Sequence, residues 1–182
     1  MNDLLLLATL LDGPKHGYAL KARAGLITGQ PNLHNNLVYP LLRRFVANGW
    51  VTQRQSPGER GQTRQVYSLT PSGRAAIVER LRGFTEKESQ SACAFRLRVG
   101  LFEILDPADR RQILAGRVAH LEARLRRFLH LQSQTNLGSY GREVVRYLCE
   151  QLRAELAWIK RLERLSRRKT QRRVRGTGRK SR

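Results

Sequence analysis

The sequence predicts a mainly α-helical protein with one small β-hairpin, and three observations lead to this prediction. Apolar residues make up 40% and charged residues 27% of the 182-residue chain, which is typical of a globular protein. Apolar residues recur at helical spacing over most of the length, and an alternating, strand-like pattern is confined to residues 50–69. A chain of this size can take roughly 70% of its unfolded surface out of water, which is enough for one large or two small domains.

Two helices are predicted at the start of the chain. The first runs from Asp3 to Leu11 and is ended by Gly13-Pro14. The second runs from His16 to Leu26, after which Gly29 and Pro31 indicate a turn.

A third helix is expected to begin at Asn35 or Asn36, which are good N-cap residues, and to end near Gly49. Its apolar face carries Val38, Leu41, Leu42 and Phe45. Its other face carries Asn36, Tyr39, Pro40 and Arg43. Such a face suits the major groove of DNA, because Asn can bond adenine and Arg can bond guanine in a bidentate manner, while Tyr can reach a phosphate. An ordinary solvated helix face is the alternative.

The hairpin follows the third helix directly. Trp50–Arg54 and Arg64–Leu69 are predicted strands, joined by the polar, glycine-containing loop Ser56–Gln62. Thr70-Pro71 then begins a fourth helix, with Thr as the N-cap and Pro in the first helical position. Three helices, a hairpin and a helix over residues 1–83 predict a winged helix-turn-helix domain.

Two further groups of polar residues are candidates for contacts with the DNA backbone. Arg60, Gln62 and Arg64 lie where the tip of the wing would meet the backbone or the minor groove. Lys15, His16 and Lys21 lie near the N-terminus of the second helix. An ordinary charged surface is the alternative for both groups.

The second half of the chain is predicted to be helical only. A segment that is apolar on nearly all sides, Ser91–Leu105, should be buried, and a helix with a coiled-coil-like stripe follows Asp106-Pro107. The last helix, Arg142 to about Arg168, has one apolar stripe of Val145, Leu148, Leu152, Leu156, Ile159 and Leu162. It has a second stripe at positions 144, 147, 158 and 165. Since two stripes exceed what one neighbouring helix needs, residues 84–168 are expected to form a helical dimerisation domain, with the first stripe at the dimer interface.

Charge is the most unusual property of the chain. The formal net charge is +21, from 35 Lys and Arg against 14 Asp and Glu. Ten of the basic residues and none of the acidic ones follow Glu163, and residues 169–182 are expected to be a disordered basic tail. Residues 1–163 remain basic without this tail, so the balance favours a polyanionic partner, nucleic acid rather than an anionic membrane surface.

Several function classes are disfavoured. The longest apolar run, Leu4–Leu11, is far shorter than the ~20 residues that span a bilayer, and no basic segment precedes it as in a signal peptide. Cys93 and Cys149 form no disulfide framework, so a cytoplasmic, nucleoid-associated location is expected. The carboxylates, histidines and cysteines show no catalytic or metal-ligand spacing, and we expect neither an enzyme nor a cofactor nor a bound metal.

Three motifs in the N-terminal half resemble those of a known family. Residues 13–20 (GPKHGYAL), residues 38–45 (VYPLLRRF) followed by Gly49-Trp50-Val51, and residues 64–74 (RQVYSLTPSGR) are similar in order and spacing to the motifs of the PadR-like transcriptional regulators. The resemblance covers residues 4–80. The C-terminal half is more loosely similar to the helical dimerisation domain of the longer PadR subfamily.

The resemblance implies a homodimeric regulator that binds double-stranded DNA. Together with the helix and wing arguments, it gives the candidate DNA-binding residues Lys15, His16, Tyr18, Lys21, His34, Asn35, Asn36, Tyr39, Arg43, Arg60, Gln62 and Arg64. Relatives that bind small molecules use aromatic residues of the C-terminal helices at the dimer interface, which makes Phe95, Phe102, Tyr147 and Trp158 candidates for an effector site. Plain core and dimer packing is the alternative for these four.

The function expected is therefore that of a sequence-specific repressor that binds a palindromic operator as a dimer and is open to release by a small-molecule effector. The alternative is a basic architectural or RNA-binding protein that binds through charge without selecting a sequence. A third class is an interaction module that acts through its long amphipathic helices.

Overall fold

A computed structural model describes residues 2–20, 22, 35–57, 63–134 and 137–177. The fold is mainly helical with a small antiparallel sheet, as predicted. Its elements are α1 (Asn2–Ala8), β1 (Lys15–His16), α2 (of which residues 17–20 and 22 are described), α3 (Asn35–Ala47), β2 (Val51–Pro57), β3 (Thr63–Leu69), α4 (Pro71–Arg82), α5 (Glu86–Gln90), α6 (Ala92–Gly100), a 3-10 turn (Phe102–Ile104), α7 (Pro107–Gln134) and α8 (Ser139–Thr177).

The chain divides into two compact units. The first, called the winged-helix unit below, comprises Met1–Phe84 and Ala92–Ile104, and the second, called the helical unit, comprises Thr85–Ser91 and Leu105–Arg182. The sequence places one boundary near residue 84. In the structure α6 and the 3-10 turn belong with the winged-helix unit, because Phe84 and Phe95 pack with ring centroids 6.4 Å apart and the guanidinium of Arg98 lies 4.8 Å from the centre of the Phe84 ring.

The sheet of the winged-helix unit has three strands in the order β1-β3-β2. The predicted hairpin forms in antiparallel register from Val51 opposite Leu69 to Pro57 opposite Thr63. The sequence analysis expected a helix to begin at His16, and this is wrong by one residue, since Lys15 and His16 pair with Tyr67 and Val66 as strand β1. Two residues are too few to show an alternating pattern, which is why the strand could not be predicted.

The core of this unit lies between the helices and one face of the sheet. On α3, Val38, Leu42 and Phe45 are fully buried, so the predicted apolar face of this helix is confirmed. They are buried in one core that also includes the apolar run of α1 and the inner residues of α4. Asn36, Tyr39 and the other residues of the polar face are thereby directed away from the core.

The junction between α3, the sheet and α4 is held by a close backbone approach. Thr70 is the N-cap of α4, as predicted, and its hydroxyl accepts a hydrogen bond from Gly73 N–H at 3.0 Å and donates one to the carbonyl of Gly49 at 2.7 Å. A Cβ on Gly73 would lie 2.1 Å from the carbonyl oxygen of Trp50. The side-chain-free Gly73 therefore allows α4 to pack directly on the start of β2.

The helical unit is built on the pairing of α7 with α8, two helices joined by the short segment 135–138. Ile113, Leu114 and Leu121 of α7 and Val145, Leu152 and Ile159 of α8 are buried. The helix α8 is longer than the sequence indicated, since its backbone continues through Thr177 rather than ending near Arg168. Residues 167–175 are mostly Arg, Lys and Gln, which favour helix, and the first glycine is Gly176. Residues 178–182 of the predicted disordered tail lie outside the described residues.

Candidate nucleic-acid interface

Several of the predicted DNA-binding residues converge on one cleft in the winged-helix unit. It has a volume of about 450 Å³ and is lined by His16, Gly17, Tyr18, Ala19, Tyr39, Arg64, Gln65 and Tyr67. These residues come from the β1–α2 junction, from α3 and from β3, which are separate in sequence and meet through the pairing of β1 with β3. The cleft therefore brings together one residue from each part of the chain that the sequence analysis assigned to DNA.

Tyr39 is positioned by the absence of a side chain opposite its ring. A Cβ placed on Gly17 would lie 3.3 Å from Cε1 and 3.4 Å from the hydroxyl oxygen of Tyr39, so the ring packs closely over the Gly17 backbone. The side chain nevertheless remains 44% exposed. A tyrosine held in this way presents its hydroxyl at the surface with little freedom to move.

Tyr67 forms the buried wall beside Tyr39. Burial raises the pKa of Tyr67, the neighbouring Tyr39 hydroxyl raises it further, and the positive charge of Arg43 opposes both. Tyr67 therefore stays a neutral hydroxyl throughout the physiological pH range. It was not among the predicted site residues, and neither were the other lining residues Gly17, Ala19 and Gln65, because the alternation along β3 gave Tyr67 only a core role.

The charge of the surface around the cleft is positive. Arg43 and Arg64 are exposed and Lys15 is half-buried, while none of the lining residues is acidic. Asn36 and Tyr18 are also exposed, Tyr18 to 81%. Cationic and amide side chains with an exposed tyrosine form the combination that binds phosphates and base edges.

His16 has a different environment from the other predicted residues. Its side chain is half-buried, and its Nδ1 is a buried atom without a hydrogen-bond partner among the described residues. The imidazole therefore reaches the cleft from β1 rather than from a helix, as the sequence analysis assumed.

The remaining candidates cannot be located to the same extent. Lys21, His34, Arg60 and Gln62 lie outside the described residues, and Asn35 is the first residue of α3. The strands of the hairpin end at Pro57 and Thr63, so the predicted wing tip itself is not described.

Comparison with known proteins decides the family. The model of the transcriptional regulator PadR-like family matches residues 6–79, and no curated protein matches the chain. A protein from Thermoplasma acidophilum assigned as a transcriptional regulator is 32% identical, with 41% of this chain covering 71% of that one at a TM-score of 0.38. The chain belongs to the PadR-like family of transcriptional regulators.

Two solved structures of Bacillus subtilis PadR are also similar over most of the chain. In the complex of that protein with operator DNA, the identity is 17%, 90% of this chain covers 98% of that one, and the TM-score is 0.45. In its complex with p-coumaric acid, the corresponding values are 15%, 90%, 97% and 0.40.

The candidate effector residues of this PadR-like chain do not share one unit. Phe95 and Phe102 are buried in the winged-helix unit, whereas Tyr147 is 56% exposed and Trp158 half-buried on α8 of the helical unit. None of the four lines a cleft described in this article. Their assignment to an effector site stays a prediction.

The two apolar stripes of α8 differ in exposure. Val145, Leu152 and Ile159 of the first stripe are buried within a single chain, and Leu148, Leu156 and Leu162 are half-buried. The second stripe is largely exposed, with Val144, Tyr147 and Leu165 each 56% exposed. Tyr140, at 88% exposure, extends it to the start of the helix.

Neither a metal centre nor a membrane span is found in the described part of the chain. No group of three or more His, Cys, Asp or Glu residues there could hold a metal ion. None of the helices described is both long and apolar enough to cross a bilayer.

Proposed function

We propose that this PadR-like regulator is a dimeric repressor that binds a palindromic operator with α3 in the major groove. The observation that carries the proposal is the cleft between β1, α3 and β3, where Tyr39, Arg43 and Arg64 lie at an exposed surface without an acidic residue among those lining the cleft. Asn36 and Arg43 are the residues proposed to contact base edges, because only their side chains can form bidentate bonds to adenine and guanine. Asn35, Lys21 and His34 are proposed to contact DNA from the same side.

Tyr39 is proposed to bind a backbone phosphate. Its ring is fixed over Gly17, so its hydroxyl can donate to a phosphate oxygen at little cost in side-chain entropy. Lys15, His16 and Tyr18 would add contacts to the same strand, and Arg60, Gln62 and Arg64 would bind the backbone or minor groove from the wing. Such contacts set the position of the protein on the duplex and carry no sequence information.

The dimer is proposed to form through α8. The first stripe is already used within one chain at Val145, Leu152 and Ile159, so the exposed second stripe with Val144, Tyr147 and Leu165 is the surface that a second copy would cover. A dimer would present two copies of α3 to two half-sites, which is the usual basis of a palindromic operator. An aromatic effector site that includes Tyr147 and Trp158 would then lie at this interface. Such a regulator would act in the cytoplasm, at the nucleoid.

The competing function is a charge-only binder of nucleic acid, which the basic end of α8 after Glu163 favours. The two are separated by selecting operator DNA from a random pool and comparing the selected sequence with a scrambled duplex by fluorescence anisotropy at several salt concentrations. A repressor prefers its operator by about 10³-fold or more. A charge-only binder shows a ratio near one, and that result would reject the proposal.

Arg43→Gln gives the sharpest variant in this assay. It should reduce the operator preference at one base position by about 1–3 kcal/mol. Arg111→Gln is the matched control, since it removes the same charge at an exposed position of α7 in the helical unit. Equal losses in both variants would show that only total charge matters.

A further inference from the structure

A second cleft lies in the helical unit, far in sequence from the candidate DNA-binding residues. It has a volume of about 510 Å³ and is lined by Gln90 of α5 and by His120, Arg124, Arg127 and Phe128 of α7. The four residues of α7 are spaced by four, three and one positions, so they lie on one face of the helix. Volumes of this size are typical of sites for small organic ligands.

The lining of this cleft is complementary to an anion with an apolar body. Two guanidinium groups, an imidazole and an amide line it, and none of the lining residues is a carboxylate. The guanidinium of Arg124 lies 5.5 Å from the centre of the Phe128 ring, which provides a flat apolar wall beside the positive charge. Nε2 of His120 is buried and has no hydrogen-bond partner among the described residues, so it is available to a ligand.

The electrostatic environment of His120 supports the same conclusion. Burial lowers the pKa of His120, and the charges of Arg117, Arg124 and Arg127 lower it further, while Glu155 of α8 opposes them. The carboxylate of Glu155 is already engaged by Arg117 through two hydrogen bonds of 2.9 and 3.0 Å. The positive charge of Arg124 and Arg127 is therefore not neutralised by a carboxylate in the lining of the cleft.

We propose that this cleft binds a small aromatic carboxylate, with the carboxylate bound by Arg124, Arg127 and the Nε2–H tautomer of His120 and the ring against Phe128. The planar guanidinium matches a carboxylate in a bidentate manner, and charge-assisted hydrogen bonds are stronger than neutral ones. The Phe128 wall favours a ring over inorganic phosphate, which has no apolar part. This proposal concerns a site outside the DNA surface and does not depend on the proposed function.

Titration calorimetry with the full-length protein and without DNA tests the proposal. The probes are benzoate, its neutral isostere benzamide, and inorganic phosphate, all at one fixed ionic strength. Benzoate should bind at least about tenfold more tightly than benzamide, since charge-assisted bonds are lost with the amide. Benzoate should also bind more tightly than phosphate. Equal affinities for benzoate and benzamide, or tighter binding of phosphate, would overturn the proposal.

Variants of α7 locate the site. Arg127→Gln should weaken benzoate binding by about tenfold or more. Arg126→Gln is the matched control, because Arg126 is an exposed neighbour on the same helix that does not line the cleft. Phe128→Ala should weaken binding of benzoate and leave phosphate binding unchanged. The same loss in the Arg126 and Arg127 variants would overturn the proposal, as would a benzoate affinity that falls with rising protein concentration, which indicates that a second copy fills the cleft.

Discussion

Arg117 of α7 and Glu155 of α8 form a bidentate ion pair that crosses the interface between the two long helices. Nε and Nη2 of Arg117 donate to the two carboxylate oxygens of Glu155 at 2.9 and 3.0 Å, and Nη1 donates to the carbonyl of Ser89 at 2.5 Å. The Arg117 side chain is only 4% exposed and that of Glu155 is 21% exposed. One guanidinium therefore links α7, α8 and the end of α5 in the interior of the helical unit.

Removal of one partner of this pair should destabilise the helical unit. Glu155→Gln leaves the buried guanidinium of Arg117 without its counter-charge, and the loss expected for a broken buried pair is about 3 kcal/mol. Urea unfolding followed by circular dichroism measures it. Replacing both residues, Arg117→Met with Glu155→Leu, should recover part of the loss, because no uncompensated charge is then left in the interior.

The exposed pair of Arg146 with Glu143 is the control for this prediction. The two charged atoms are 2.7 Å apart, but both side chains are more than 60% exposed, at 64% and 61%. Arg146→Gln should leave the free energy of unfolding unchanged within error, since solvent screens exposed pairs. Similar losses in the Glu155 and Arg146 variants would show that burial does not determine the strength of these pairs.

Gly73→Ala should destabilise the winged-helix unit. The added Cβ would lie 2.1 Å from the Trp50 carbonyl oxygen, so α4 must move away from β2 at a cost of about 1–3 kcal/mol or more. Gly100→Ala adds the same methyl group at a site with no neighbouring atom within 4 Å and should be nearly neutral. Thermal unfolding of the two variants measures the difference. Equal melting temperatures would contradict the packing argument.

The features that the sequence predicted correctly are those with a local pattern. The apolar spacing of Val38, Leu42 and Phe45 and the N-cap of Thr70 depend on residues within one or two turns, and the structure contains both. Strand β1 has two residues, and the partner of Arg117 lies 38 residues away, so neither leaves a local signal. Since long-range pairing also brings Gly17 to Tyr39, the complete lining of the DNA cleft could not be predicted from the sequence.

The stability of the helical unit should fall as the pH is lowered below about 6.5, because of His120. Burial and the nearby arginines lower the pKa of His120 in the folded protein from its ordinary value of 6.5. The unfolded chain consequently binds a proton first, and the free energy of unfolding decreases as the pH falls from 6.5 through the folded-state pKa. Urea midpoints measured between pH 5 and 8, a range of about three units around the histidine pKa, test this.

His120→Gln should flatten that profile, because glutamine does not titrate. His130→Gln is the matched control, since His130 lies exposed on the same helix. A profile that is flattened only by the His130 variant would contradict the assignment to His120.

Val144→Glu combined with Leu165→Glu should convert the dimer to monomers that remain folded. Both side chains are 56% exposed in one chain, so the added charges disturb only a surface that a second copy would cover. Ala157→Glu places the same charge on an exposed position of α8 outside the second stripe and should remain dimeric. Sedimentation equilibrium at micromolar concentration distinguishes the two. Leu152→Lys, by contrast, should unfold the helical unit, because Leu152 is buried within the chain.

Tyr39→Phe should weaken binding to every DNA sequence by a similar factor. The ring can keep its place over Gly17, so the substitution removes only the hydroxyl that is proposed to donate to a phosphate. The expected loss for one hydrogen bond to a charged oxygen is about 1.5–3 kcal/mol, and the preference for the operator over a scrambled duplex should not change. Tyr140→Phe, which removes an exposed hydroxyl of the helical unit, is the control and should bind as the unmodified protein does. A Tyr39→Phe variant that loses operator preference while keeping its affinity for scrambled DNA would assign Tyr39 to a base edge instead.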